Sequence, residues 1–214
     1  MNRPLISIVI PTRPHESCGL TMETLMAQTL QDFEVHVIVD HEGRGQSWAR
    51  NRGAEVARGH TLLFSDNDLL WEPQALERLH VGLLDTMAAV RPGERFTAYA
   101  YGAYQFFTRL GCSMERGAIL CNRPWDWQAL KACNFISTMA LIDREVWCRE
   151  HLAFDETLRR LEDWDLFLTM GERGYCGAFI PGILFHTEFK PGVSHQNPLT
   201  HEAAEAIVRT KHGI

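Results

Sequence analysis

The chain has 214 residues, 45% hydrophobic and 22% charged, which suits one sizeable core and is short for two independent domains. Its net charge of -6 argues against a nucleic-acid groove, because neutralising a phosphate backbone takes clustered Lys and Arg and no basic stripe occurs. Six cysteines (Cys18, Cys112, Cys121, Cys133, Cys148 and Cys176) form no CxxC pair, so they read as reduced, buried apolar residues of a cytoplasmic protein rather than zinc or redox motifs.

The first half alternates apolar runs with helix-period segments, the order of a mainly parallel sheet flanked by helices. Leu5 to Ile10 reads as a buried strand ended by Pro11. With only about six apolar residues it is too short for a signal-peptide core or a membrane span, and any membrane association is expected to be peripheral. Met22, Leu25 and Met26 share one helix face, and Glu34 to Val39 reads as a second strand with Asp40 at its end. Gln46 to Arg58 should be helical, and His60 to Phe64 makes a third strand with Ser65-Asp66-Asn67-Asp68 at its exit. Pro73 suits the first turn of a helix carrying Leu76, Leu79 and Leu83, which Arg91-Pro92-Gly93 ends. Beyond that lie an aromatic strand from Phe96 to Phe107, a loop-like region to about Trp127, and the segment from Asn134 to Ile142. Glu162 opens a helix with Trp164, Phe167 and Leu168 facing the core; strands at Ala178–Ile180 and Ile183–Phe185 and a surface helix from Glu202 to Lys211 follow.

Asp66-Asn67-Asp68 places two carboxylates at the carboxyl end of an apolar strand, where open α/β sheets bind ligands. Such a pair can hold a hard divalent cation, Mg2+ or Mn2+, which in turn binds diphosphate oxygens. The same tripeptide also suits a plain turn, since Asp and Asn bond to their own backbone.

Ser7 to Thr12, Asp32-Phe33-Glu34-Val35 leading to Asp40, Ala49-Arg50-Asn51-Arg52-Gly53, and Leu63 to Asp68 with Trp71-Glu72-Pro73 together resemble family 2 glycosyltransferases of GT-A fold. The resemblance continues through Asn134–Arg144, Phe154-Asp155-Glu156 and Glu162-Asp163-Trp164-Asp165-Leu166. It implies an α/β GT-A domain with a Rossmann-like, mainly parallel sheet and a small acceptor-side lobe. Residues 1–214 would form this single domain, with the nucleotide-binding half at about 1–93 and the acceptor and base half at about 94–214. By position, Pro11 and Thr12 would lie under the base of the nucleotide, Asp40 would meet the base or ribose, and Arg50 and Asn51 would lie near the nucleotide. Asp66 and Asp68 match the family's DxD motif at the diphosphate and the metal. Asp163 matches the catalytic base of the inverting enzymes, with Glu162 on the acceptor side.

A carboxylate at Asp163 could take the proton of an attacking hydroxyl. Equally, Glu162, Asp163 and Asp165 suit the first turn of a helix, where the dipole favours acids. Arg13-Pro14-His15 and His41-Glu42 depart from the family pattern around the base of the nucleotide. No processive-synthase signature of the QxxRW type is present, which points to single-sugar transfer. His186, with His195 behind it, is the candidate third metal ligand, although a lone strand-end histidine is commonly just hydrogen-bonded; Lys190, Ser194 and His195 lie in a candidate closing loop. Among the aromatics, Tyr99, Tyr101 and Tyr104 read as core, and Trp125 and Trp127 as acceptor-side platforms for sugar rings. The expected partners are a nucleotide-diphospho-sugar, with UDP as the commonest donor, and a glycan, lipid-linked or small-molecule acceptor. A catalytically silent nucleotide-sugar-binding or scaffold protein of the same fold and a retaining transferase stay open. A nucleotidyltransferase is disfavoured because the first strand is not followed by a Gly-rich loop.

Overall fold

The computed structural model describes residues 3–110, 113–189 and 199–214. Among these residues eight strands form one sheet: β1 (Ile6–Thr12), β2 (Phe33–Val39), β3 (Thr61–Phe64), β4 (Leu69–Trp71), β5 (Phe96–Leu110), β6 (Ser113–Leu120), β7 (Leu141–Asp143) and β8 (Tyr175–Glu188). Their order is β2-β1-β3-β7-β5-β8-β4, with β6 paired to β5 beyond that path. Strands β1, β2, β3, β5 and β8 run one way and β4, β6 and β7 the other. The fold is therefore α/β with a mostly parallel sheet, as the alternating pattern implies.

The helices of the described residues are α1 (Gly19–Met26), α2 (Gln46–Val56), α3 (Ala75–Ala88), α4 (Trp127–Ala132), α5 (Arg144–Arg149), α6 (Glu162–Glu172) and α7 (His201–His212). Both sheet faces are covered, which explains the unbroken apolar runs. Ile6, Ile8, Ile10 and Leu63 join Leu25 of α1 and Leu76, Leu79 and Leu83 of α3 on one face. Val9, Leu62 and Phe64 join Tyr99, Tyr101, Trp164 and Phe167 on the other. Helix α2 lies so close to β1 that a Cβ on Gly53 would sit 2.1 Å from Val9 Cγ1.

Several details differ from the sequence reading. Strand β1 runs through Pro11 to Thr12, opposite Val39. The Val9 carbonyl accepts from Ser65 on the β3 side, and Pro11 points the same way past the end of β3, so its missing N–H costs no ladder bond. In α1, Thr21 and Leu25 are buried and Met26 is exposed, because Thr21 is drawn inward by hydrogen bonds to the turn after β3. Pro73 precedes α3, whose N-cap is Gln74.

The two late strands are one strand, β8, whose register against β5 jumps from Ile180 to Ile183 around Pro181-Gly182. The loop-like region contains β6, and Met114 to Leu120 is exposed throughout, so no buried period marks it as a strand. Of the five described cysteines, all free, Cys133 and Cys148 are exposed and Cys18, Cys121 and Cys176 half-buried, so they are not core residues; Cys112 lies outside the described residues. Among the described residues no helix is long and apolar enough to cross a membrane.

Candidate active site

The carboxyl ends of β1, β2 and β3, with β8 at the rim, enclose a cavity of about 610 Å³. Pro11, Thr12, Asp40, Asp66 and Asp68 line it, with Arg13 and Asn67, and with Glu16, Gln46 and Thr187, which the sequence reading did not single out. Asp66 and Asp68 stand on the short turn between β3 and β4. The Thr21 hydroxyl anchors that turn, donating to the Asp66 carbonyl and accepting from Leu69 N at 2.8 Å. Trp71 Nε1 donates to Ser65 Oγ at 3.0 Å, and Asn67 Nδ2 reaches Thr12 Oγ1 and Glu16 Oε2.

Asp40 faces the cavity but also shapes it, since its carboxylate accepts from Arg44 N at 2.9 Å and Gly45 N at 2.7 Å. Burial raises its proton affinity, and the backbone N–H groups of Gly45, Arg44, Glu42 and Gly43 more than offset this, holding it ionised below the usual aspartate range. Asn51 serves the scaffold: its amide clips the backbone of Phe154 through Oδ1 and Nδ2, and it is not among the lining residues.

Arg50 lies beneath the cavity floor, only 2% exposed, and spans two acids. One nitrogen donates to Asp66 Oδ1 at 2.9 Å and the other to Glu162 Oε1 at 2.7 Å. Burial pushes the Asp66 carboxyl up, Arg50 draws it down, and the neighbouring charges of Asp68 and Glu162 raise it again, leaving it above the usual range. Two carboxylates side by side on one turn at the cavity form a donor set suited to a hard cation. Among the described residues no third His, Cys, Asp or Glu joins them. His186 is turned instead to Glu72, Nε2 to Oε1 at 2.7 Å, while the next residue, Thr187, faces the cavity. Lys190, Ser194 and His195 lie outside the described residues.

Asp163 sits in the first turn of α6, half-buried, behind Leu161 in the left-handed region (φ 61°). Its oxygens accept from Asn134 Nδ2 at 3.0 Å, Thr138 Oγ1 at 3.3 Å and Trp164 N at 2.8 Å. Burial and then the Glu162 charge push it up to about 7, against the pull of the Trp164 N–H, Arg50 and Asn134. The helix dipole alone would act the other way, so its environment goes beyond that of an ordinary first-turn acid. Asn134 and Thr138 carry no sequence signal of this role, because nothing in their spacing points across the fold to α6. Close by, burial and the Asp163 charge push the Cys121 thiol up to about 12. The Tyr104 phenol is likewise raised by burial, by Cys121 and by the charges of Asp163 and Asp66, so it stays protonated.

Trp125 and Trp127 are not beside this site. Their rings stack 6.4 Å apart with Arg95 against both, Trp125 Nε1 bonds to the Tyr99 hydroxyl, and Trp127 packs on Gly171 at the far end of α6 from Asp163. That position is at the amino ends of β5 and β8, opposite the carboxyl ends that line the cavity. The acceptor-side expectation for these tryptophans is therefore corrected: the pairing of aromatics was legible, but the end of the sheet was not.

The signature described as glycosyl transferase family 2 matches residues 22–148, well over half of the chain, and takes in Asp40, Arg50 and Asp66 to Asp68. The chain belongs to glycosyl transferase family 2. As a family 2 member it is a glycosyltransferase, and its relatives agree. A Bacillus subtilis (strain 168) protein, TuaG, named for a glycosyltransferase of teichuronic acid biosynthesis, is 24% identical over 177 residues, 79% of this chain and 67% of that one. The fold is similar to S. aureus TarS residues 1–349 in complex with UDP, with a TM-score of 0.62 at 14% identity over 97% of this chain and 70% of that one. Against the same protein in complex with UDP-GlcNAc the TM-score is 0.70 at 12% identity, covering 97% of this chain and 65% of TarS 1–349. The chain thus spans about two thirds of these relatives. Asp163 lies beyond the matched family segment.

Proposed function

We propose that this family 2 glycosyltransferase moves one sugar from a nucleotide diphosphate, UDP being the first expectation, to a hydroxyl of a glycan, lipid-linked or small-molecule acceptor, with inversion at the anomeric carbon. The observation that carries the reading is Asp163: a half-buried carboxylate held by Asn134 and Thr138 and poised near neutrality, joined through Glu162 and Arg50 to the acid that lines the cavity. A general base works best when its proton affinity matches the working pH, and this one can take the acceptor proton as the oxygen attacks. The likeness to the UDP and UDP-GlcNAc complexes of TarS supports a nucleotide-sugar donor, and the name of TuaG supports an acceptor of the teichuronic acid type.

Thr12, Asp40 and Gln46 would hold the nucleoside end, and Asp66 and Asp68 would hold Mg2+ or Mn2+ at the diphosphate. Bound there, the cation offsets charge on the leaving nucleotide as a Lewis acid. The Tyr104 hydroxyl, kept protonated under the charges of Asp163 and Asp66, would orient the transferred sugar. Asn134 and Thr138 keep the Asp163 oxygens aimed, and burial excludes water that would compete for the donor.

The test pairs binding with chemistry. A thermal-shift panel of UDP, GDP, CDP and dTDP, with and without Mn2+, should show one nucleotide raising the melting temperature only with metal. Asp163→Asn should keep that shift and lose transfer, while the product anomer read by NMR should be inverted. Full activity in Asp163→Asn, or a retained linkage, removes the base from the mechanism.

A further inference from the structure

Arg50 would be read from position alone as a contact to the nucleotide, yet its guanidinium is spent inside the protein. It is 2% exposed, its two terminal nitrogens pair with Asp66 and Glu162, one of them also reaches Gln46 Oε1 at 3.1 Å, and its Nε is buried without a partner. The Phe154 ring lies 5.4 Å from the guanidinium and packs over it. Burying the Arg50 charge between two partly exposed acids is costly to desolvate, and a well-packed apolar side chain would commonly serve stability as well. What the triad does provide is a charge path between two elements 112 residues apart in sequence: α2 beneath the cavity and the first turn of α6.

We propose that Arg50 and Glu162 are positioning residues that transmit the charge at Asp66, in the donor cavity, to the base Asp163. The importance of the link rests on the base reading of Asp163 given above, but the link itself can be tested without any substrate. Glu162 is adjacent to Asp163, and its negative charge opposes ionisation there; Arg50 favours it. Asp66 competes with Glu162 for the same guanidinium. When the charge at Asp66 is neutralised, more of the positive charge of Arg50 is left to act on Glu162 and Asp163, and the base ionises more readily. A donor complex arriving at Asp66 would thus ready the base on the far side of the site, so that Asp163 is deprotonated chiefly when there is something to attack. The other groups facing Asp163 are Asn134 and Thr138 from the segment before β7, the Trp164 N–H on α6, Cys121 after β6 and Tyr104 on β5. None of these contacts Asp66 by a hydrogen bond, so Arg50 is the connection on which the proposal depends.

The experiment is a titration of 13C-labelled aspartate carboxylates by NMR on the whole chain with chelator present, with Asp163→Asn identifying the resonance. Wild type should show Asp163 titrating at about 7. Glu162→Gln, which keeps an oxygen for Arg50 and removes the charge, should move that midpoint down toward the ordinary aspartate range. Asp66→Asn should also move it down, by less, although Asp66 does not touch Asp163. A purely structural triad would loosen the fold in these variants without moving the midpoint in a fixed direction. If either variant, folded by circular dichroism, leaves the Asp163 midpoint at the wild-type value, the link is refuted, and Asp66→Asn decides alone should Glu162→Gln not fold. Since no nucleotide or acceptor is present, this outcome is independent of whether the transfer reaction itself is as proposed.

Discussion

Replacing Asp163 by Asn should make the protein inactive and, at alkaline pH, more stable. The folded carboxyl is raised from 3.8 to about 7, so between those values the folded chain holds a proton that the unfolded chain has released. With fewer protons on the unfolded state, stability falls as pH rises through that window; the penalty is absent below 3.8 and complete above 7. A gap of about 3 pH units at about 1.4 kcal/mol each sets a ceiling of about 4 kcal/mol. Partial exposure of the carboxylate screens some of this, and Asn gives up one acceptor for the Thr138 hydroxyl, worth about 1 kcal/mol. The expected net gain for Asp163→Asn is therefore about 1–2 kcal/mol at pH 8, shrinking to zero or changing sign at pH 4. Urea denaturation at the two pH values measures it. Equal effects of the substitution at pH 4 and pH 8 would refute the claim that the fold holds this carboxyl in a strained, proton-hungry setting.

Three further outcomes follow from the geometry. Asp68→Ala should abolish the metal-dependent part of the UDP thermal shift, with chelator reproducing the loss in wild type; a shift that survives both would take the cation away from this pair. Gly53→Ala should cost about 1–3 kcal/mol in chemical denaturation, because the added methyl falls 2.1 Å from Val9 Cγ1 in a packed face, and a neutral result would mean α2 moves freely on β1. The His212 side chain is 3% exposed, and although burial opposes its charge, bonds to Asp165 and Glu172 outweigh this and raise its proton affinity. Its stabilising effect is full below 6.5 and lost as pH rises through the folded value; His212→Gln should lower the melting temperature at pH 6 by about 4–8 °C for a loss of about 2 kcal/mol, and by less at pH 9.

The parts of the fold legible in the sequence are those where both faces or one whole face are buried. Ile6 to Ile10, Leu62 to Phe64 and the Leu76, Leu79, Leu83 stripe announce themselves because burial dictates residue type at every position or every turn. Strand β6 hides because nothing packs on it, and α4 and α5 because six residues hold too few turns to show a period. In the site, Asp66, Asp68 and Asp163 stand at element ends, where local order already marks them. The partners that set their chemistry, Arg50 with Glu162 and Asn134 with Thr138, meet only through tertiary packing, and no local pattern encodes a contact across 112 residues. Trp125 and Trp127 show the reverse error, for a suggestive composition says nothing about which end of the sheet a loop returns to.

The three residues of β7 also bear on how the chain comes off the ribosome. Leu141 pairs with Leu63 and Ala100, so this late strand is the splice between the β1–β3 ladder and the β5–β8 ladder. A nascent chain that has not yet released residue 143 presents β3 as an open edge whose Leu62, Leu63 and Phe64 are apolar, the kind of template that recruits other chains. Assembly is therefore expected to be slow and to finish late, with long-range closure limiting the rate. A circular permutant that begins near β7 would supply the splice first, and its faster refolding and lower aggregation would identify that strand as the step on which the whole sheet waits.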